Sequence, residues 1–252
     1  MMKKIYFIVA SMLMISINSL AQSSNTNGNS GWNTVYLQWN PSSFVPDKGD
    51  SESFTGLSVG FNKAFSISQR WPLYFEAGLG VQYSFYSKDI TGDVADILGV
   101  STSSVSAYFR PEEKVKMLSA KVPVSLAYAY HIPDTKLTII PYIGLDLRFN
   151  IVGRGNVKYN LTSAGVNQLR QEGYTQQQID ETFRDRELDL FDKKDMGSDA
   201  ATFSRFQVGW HVGLNARINN QFLLGASYGT DFSEIIQKVN VHTTSIVVGY
   251  CF

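Results

Sequence analysis

The sequence predicts an all-β fold, an eight-stranded antiparallel up-and-down transmembrane β-barrel with a small helical extracellular insert. Three observations predict it. Apolar residues recur with period two, the intervening face is rich in Gly, Ser and Asn, and the connections alternate between long and short. The 252-residue chain carries 22 basic and 22 acidic side chains, 20 glycines and a single cysteine. That length fits one barrel domain. No apolar run is long enough for a spanning helix. The charge balance offers no basic face for nucleic acid. One cysteine forms neither an intrachain disulfide nor a Cys-based zinc site.

Residues 1–21 read as a cleavable signal peptide. Lys3 and Lys4 form a basic start, Ile5 to Ile17 an apolar core too short to span, and Ser19-Leu20-Ala21 the small-residue cleavage site. Without Lys3 and Lys4 the chain keeps 20 basic against 22 acidic residues, a net charge of −2. A polar, flexible segment follows over 22–31, and the barrel is expected over 32–252.

The clearest strand is Leu73 to Phe85. Leu73, Phe75, Ala77, Leu79, Val81, Tyr83 and Phe85 share one face; Tyr74, Glu76, Gly78, Gly80, Gln82 and Ser84 share the other. Val35, Leu37 and Trp39 make the first strand of this kind, and Leu57, Val59 and Phe61 the second. Val122, Val124, Leu126, Tyr128 and Tyr130 define the fourth; Ile139, Ile143, Leu145, Leu147 and Phe149 the fifth. Phe206 to Ile218, Phe222 to Tyr228 and Ile246 to Phe252 complete eight. A soluble barrel turns its large apolar side chains inward. Here the polar face is the small one, suited to a crowded lumen, so the apolar, aromatic-rich face is expected to meet lipid. Tyr128, Tyr130, Phe222, Tyr250 and Phe252 should mark one rim, and Trp39, Tyr83 and Phe85 the other.

The connections support this without reference to hydropathy. Gaps at 66–72, 131–136 and 219–221 are short and suit the periplasmic rim. Those at 41–54, 87–114 and about 152–205 are long, and 230–241 is intermediate. Pro123 and Pro141 fall inside strand patterns and cannot donate to a ladder, so each is expected to mark a bulge or irregularity. In the insert, Ala164 to Glu172 reads as a helix ended by Gly173. Thr175 with Gln178 forms a capping box opening a second helix from Gln176 to about Leu190, with Ile179, Phe183 and Leu190 as its apolar stripe. A hairpin of these helices is expected to cover the barrel mouth.

At this point the chain resembles a known group. The signal ending Ala21-Gln22, the segments Ala120 to Tyr128 and Pro141 to Leu145, and the closing Ser245-Ile246-Val247-Val248-Gly249-Tyr250-Cys251-Phe252 resemble the outer-membrane β-barrel proteins of Bacteroidetes, the porin-family or PorT-like group. The resemblance implies a barrel fold and an outer-membrane location. It also implies that Ile246, Val248, Tyr250 and Phe252 form the C-terminal signal read by the barrel assembly machinery. It carries no catalytic residues.

Inward charges are the candidate site: Glu76, Lys121, Asp146, Arg148 and Arg217. They read either as a salt-bridged plug or as the constriction of a narrow pore. The plug is favoured, because eight strands enclose only enough room for side chains and an unpaired buried charge is costly. His131, His211 and His242 are scattered. On this register Ser125 and Ser227 point into different barrel regions, so no triad, metal site or cofactor site is expected and the chain reads as a non-enzyme. Cys251 should point inward near the periplasmic rim as an inert thiol. Asp89, Asp93 and Asp96 lie in a Gly/Ser-rich stretch without a complete calcium-loop pattern, which reads as solvated. Expected partners are outer-membrane lipid, the assembly machinery, and a protein or surface ligand at the extracellular loops. The function expected is structural or interactive, with a narrow channel for ions or small solutes as the alternative and a lipid-modifying barrel enzyme behind both.

Overall fold

Alternating apolar residues need a sheet with no open edge before they can face hydrocarbon, and the computed structural model shows how this chain closes one. It describes residues 31–47, 51–68, 70–196 and 202–252; the expected signal peptide and most of the 22–31 segment lie outside the described residues. The strands are β1 (Asn33–Pro46), β2 (Glu52–Ser66), β3 (Leu73–Asp89), β4 (Phe109–Tyr128), β5 (Tyr130–His131), β6 (Leu137–Leu161), β7 (Arg186–Asp189), β8 (Phe206–Ile218), β9 (Phe222–Asp231) and β10 (Val239–Cys251). All but β5 and β7 form an antiparallel ring in which each strand pairs with its sequence neighbours and β1 pairs with β10. Asn33 and Phe252 exchange backbone hydrogen bonds at 3.0 Å, fastening the seam at the rim where both strands end. No described helix is long and apolar enough to cross a membrane, so strands make the crossing. The shortest ring strand, β9, has 10 residues, enough to cross hydrocarbon when tilted by about 45°.

The faces fall as the alternation predicts. Leu79 is 62% exposed on the outside of β3 while Gln82 is 2% exposed on its inside. Phe222 packs against Tyr250 at 5.9 Å and Tyr250 against Phe252 at 6.4 Å, in one aromatic group beside the termini. At the other rim Tyr83 lies 6.1 Å from Phe85, and the Trp39 indole donates to Thr55 Oγ1 at 2.8 Å. Short turns share the terminal rim. Between β8 and β9, Asn219 and Asn220 both take positive φ (54° and 59°), and Gln221 N donates to Ile218 O at 3.0 Å. That is a type I′ turn, whose twist matches the strands it joins.

The strands run well past the stretch that period two reveals. β1 continues to Pro46 and β2 begins at Glu52, so most of the expected 41–54 loop is wall. β3, β4 and β6 also rise beyond the outer rim, to Asp89, from Phe109 and to Leu161. Above the membrane both faces meet water, so nothing demands an apolar outer face, and runs such as Arg110-Pro111-Glu112-Glu113-Lys114 carry no alternation. Neither proline shifts the register, but Pro123 lies in a local interruption of the β3–β4 pairing, the irregularity expected there. Pro123 pairs in register with Asp146, and Pro141 with Leu214 beyond the end of the β4 pairing. The register shift in β4–β6 lies instead at Leu118/Ser119.

Helices α1 (Thr91–Leu98) and α2 (Thr102–Tyr108) lie between β3 and β4; α3 (Ser163–Gln171), α4 (Gln176–Thr182) and α5 (Lys193–Met196) follow β6. The Thr175/Gln178 capping box is present, and Gly173 takes φ 92° after α3. α4, however, stops at Thr182 rather than near Leu190. Pairing with β8 ends at Phe149, leaving that edge of the longer β6 bare; β7 covers it at Arg154–Val157. Satisfying an edge outweighs prolonging a polar helix. Among the described residues, the apolar group in the mouth contains no helical side chain. Leu190 with partly buried Phe191 and Phe203 fills it, packed with Phe54, Tyr86, Val115, Met117, Ile235 and Val241.

If lipid wets the outer face, Leu79→Arg at mid-height should cost about 2–4 kcal/mol in liposome unfolding titrations, and Ser87→Arg above the rim no more than about 1 kcal/mol. Equal costs at the two heights would contradict this placement of the membrane.

Candidate functional site in the barrel lumen

Register decides which inward residues meet. Glu76 on β3 stands opposite Ser125 on β4, Ser125 opposite Gly144 on β6, and Gly144 opposite His211 on β8. Asp146 is the next inward residue above Gly144. Three side chains are thereby joined in a row: Ser125 Oγ lies 2.8 Å from His211 Nε2, and His211 Nδ1 lies 3.0 Å from Asp146 Oδ2. With Nδ1–H donating to the carboxylate, Nε2 is left to accept from the serine hydroxyl. Gly144 makes the row possible, since a Cβ there would stand 2.6 Å from Ser125 Oγ and 2.8 Å from His211 Nε2. The edge of the Tyr142 ring closes one side, 5.7 Å from the imidazole. The sequence expectation that no serine, histidine and carboxylate converge is therefore overturned. Ser125 and His211 are 86 residues apart, and only the shared β6 neighbour brings them together.

The predicted lumen charges divide into groups. Asp146 belongs to the row just described. Arg148 Nη1 lies 3.3 Å from Asp231 Oδ2, with both side chains under 9% exposed. Asp231, absent from the sequence-based set, sits where alternation along β9 fades. Gln207 Nε2 donates to the same carboxylate at 2.8 Å, Asn150 Nδ2 to Gln207 at 3.0 Å, and Ser119 Oγ to Asn150 at 2.7 Å. Opposite, Ser245 donates to Asn40 at 2.8 Å and Asn40 to Ser58 at 2.6 Å. Arg217 stands apart near the terminal rim, its guanidinium 4.3 Å from the Trp32 ring centre. Glu76 and Lys121 are 8% and 5% exposed, and no contact ion pair joins either to another described side chain.

Glu76 and Lys121 instead border a chamber of about 80 Å³, along with Ser125, Tyr142, Asp146 and His211. Apolar groups close both ends of this polar layer. Toward the termini lie Trp32, Ala64, Tyr74, Ala127, Ala129, Ile140, Leu223 and Cys251; toward the outside lies the Leu190 plug. Cys251 is fully buried, its sulfur 3.3 Å from Thr34 Oγ1. Tyr36 fills much of the layer's width, and a Cβ at Gly60 or Gly80 would come within 2.5 or 2.8 Å of its hydroxyl. The other two histidines are occupied elsewhere: His131 Nδ1 lies 3.2 Å from Thr138 Oγ1, and His242 Nδ1 2.7 Å from the Tyr228 hydroxyl. Among the described residues no group of three or more His, Cys, Asp or Glu side chains could hold a metal ion.

Outside the membrane, Glu52 collects a charge cluster. It accepts hydrogen bonds from Lys88 and Tyr86, and Lys88 Nζ also lies 3.1 Å from Asp93. Asp89 accepts from Thr91 N at 2.8 Å, so these acids serve separate partners. Burial raises the Glu52 carboxyl, but the Lys88 and Tyr86 bonds outweigh it and hold the group below its ordinary 4.5. Hydrogen bonds to Glu52 and then Asp93 push Lys88 up to about 12. On the outward face of β10, Ile246, Val248, Tyr250 and Phe252 project together, each more than a third exposed.

Two outcomes follow. Asp231→Ala should destabilise the barrel by about 3–5 kcal/mol, because Arg148 then stays buried without its counter-ion, and the paired change Arg148→Met with Asp231→Leu should recover most of that. Liposome unfolding titrations read both; a loss no greater than that of a surface pair would refute the buried pairing. The depressed Glu52 contributes stability above its unfolded value and loses it as pH falls through its lower folded value. Amide exchange at residues 88–98 should therefore accelerate below about pH 4.5, the unfolded carboxyl value, and Glu52→Gln should abolish that dependence.

No curated protein matches the chain. Among solved structures, the attachment invasion locus protein Ail of Yersinia pestis, crystallised with the heparin analogue sucrose octasulfate, is 13% identical with a TM-score of 0.42, covering 88% of this chain and 99% of its own. Neisserial surface protein A is 15% identical (TM-score 0.39; 87% and 97% covered). The outer membrane enzyme PagL is 8% identical (TM-score 0.42; 86% and 97% covered). The family model described as outer membrane protein beta-barrel domain matches residues 7–252, and the chain, an outer-membrane barrel, belongs to that family.

Proposed function

We propose that this barrel is a closed integral protein of structural or interaction type, with its extracellular rim as the surface that contacts a protein partner or surface ligand. The observation that carries this is the layering of the lumen. Hydrogen-bonded polar side chains at mid-height lie between apolar clusters on both sides, and buried Arg148 is paired with buried Asp231. Apolar layers above and below interrupt the polar lining of the lumen. The chamber beside Glu76 and Lys121 favours a narrow pore, and it lies between the two apolar clusters.

The outer rim supports the interaction reading. Wall extensions of β3, β4 and β6 hold the helices clear of the membrane surface. At the end of α1, Ile97, Leu98 and Val100 stand exposed, Ile97 at 83%. Neighbouring apolar side chains in water mark contact surfaces more often than chance placement does. The proposal includes export with cleavage after Ala21 and assignment to the porin-family, PorT-like subgroup of Bacteroidetes, supported by residues 120–128, 141–145 and 245–252.

In planar bilayers the purified barrel should give no steady single-channel steps. Steps that disappear on changing Glu76 or Arg148 would make it a pore and overturn the closed-barrel reading. Ile97→Glu with Leu98→Glu should leave the fold intact and lose a partner recovered with the wild-type protein from native membranes.

A further inference from the structure

The lumen holds more than a plug needs. Charge neutralisation accounts for Arg148 with Asp231, and packing accounts for Tyr36. Neither requires a serine hydroxyl aimed at Nε2 of a histidine whose Nδ1 is held by a buried carboxylate, with a glycine clearing the space between them. The row also faces a chamber rather than packed side chains.

A second, independent feature lies beside it. The β3–β4 pairing runs to Ala77↔Val124 and resumes at Gly80↔Lys121 without a register shift, leaving Gly78, Leu79, Val122 and Pro123 outside it. Pro123 has no N–H to give to the ladder. The interruption is flanked by Ser125 and Lys121, and Pro123 itself lines the chamber. The ladder is therefore interrupted beside the serine, as it also is at Asn40 and Pro41 between β1 and β10.

We propose that Ser125 is an activated nucleophile that takes the acyl group of a membrane-borne carboxylic ester reaching the chamber laterally between β3 and β4, with His211 as its base and Asp146 as the residue that positions His211. Ser125 Oγ attacks the ester carbonyl carbon as its proton passes to His211 Nε2. The tetrahedral intermediate collapses, the C–O bond to the alcohol breaks, and the alkoxide recovers the proton from Nε2. Water then repeats the sequence on the acyl-serine, giving a carboxylic acid and restoring the Ser125 hydroxyl. Lys121 and Tyr142 border the same chamber and are donors available to the developing oxyanion. A chamber of about 80 Å³ holds the carbonyl and its first carbons; the rest of an acyl chain stays in the wall opening and the hydrocarbon. Ser125 is three residues from Tyr128 at the terminal rim, roughly 10 Å along the strand, on the terminal side of mid-height.

The test uses the full-length mature barrel in liposomes, its fold checked by heat-modifiable gel migration, treated with an alkyl fluorophosphonate. Intact mass should rise by one phosphonyl group, located on the peptide containing Ser125. Ser125→Ala should remove the label, and His211→Gln should slow it about 100-fold with the fold retained. A folded wild-type barrel that stays unlabelled overturns the proposal. So does labelling at another residue, or labelling of Ser125 at full rate in His211→Gln. The lateral route has its own arm. Leu79→Cys with Val122→Cys, opposite each other across the interruption, should block labelling when oxidised and restore it on reduction; labelling that ignores this lock overturns the route.

Discussion

Hydrocarbon offers no hydrogen bonds, so every backbone N–H and C=O that crosses it needs a partner within the chain. Most of what is seen here follows from that constraint. It closes the sheet by pairing β1 with β10 and β4 with β6. It keeps the register unbroken past Pro123 and Pro141, and it confines the one shift to Leu118/Ser119, near the outer rim. Above the membrane the same demand persists more weakly, since water can satisfy an edge. There β7 pairs with the exposed edge of β6, and that edge, rather than helix propensity, decides where α4 ends.

Closing eight strands creates a second constraint. The enclosed space is narrow, and whatever points inward must fill it and satisfy itself. The lumen answers in layers. Polar side chains form hydrogen-bonded chains from Ser119 through Asn150 and Gln207 to Asp231 and Arg148, and apolar clusters seal both ends. Half-satisfied polar networks are expensive in such surroundings, so the chamber beside Ser125 and His211 stands out as space kept open rather than filled.

The proposed interaction at the rim and the proposed chemistry in the lumen are compatible, because they fall to different parts of the fold. The rim is built from strand extensions and short helices in water. The Ser125–His211–Asp146 row belongs to the membrane-embedded wall, where the apolar clusters limit access from either aqueous side. The proposed substrate, already dissolved in the bilayer, suits a row placed in that wall.

Local signals were legible in the residues. Alternation revealed the eight crossings and which face meets lipid; Asn219-Asn220, Gly173 and the Thr175/Gln178 pair revealed their turn, helix end and cap. Each involves neighbours in the chain, and the solvent on either side of a strand writes itself directly into residue type. The extensions at 41–46, 86–89 and 152–161 were not legible, because where water wets both faces it leaves no period-two record. The inward set of Glu76, Lys121, Asp146, Arg148 and Arg217 could be read from parity alone, but not who touches whom. That depends on register between strands. A single-residue slip of β8 against β6 would turn His211 away from Ser125, and no local pattern records the offset between residues 86 positions apart. The amino-acid sequence by itself determined the barrel and its orientation toward lipid; only the closed tertiary structure decided that a serine, a histidine and an aspartate share one row.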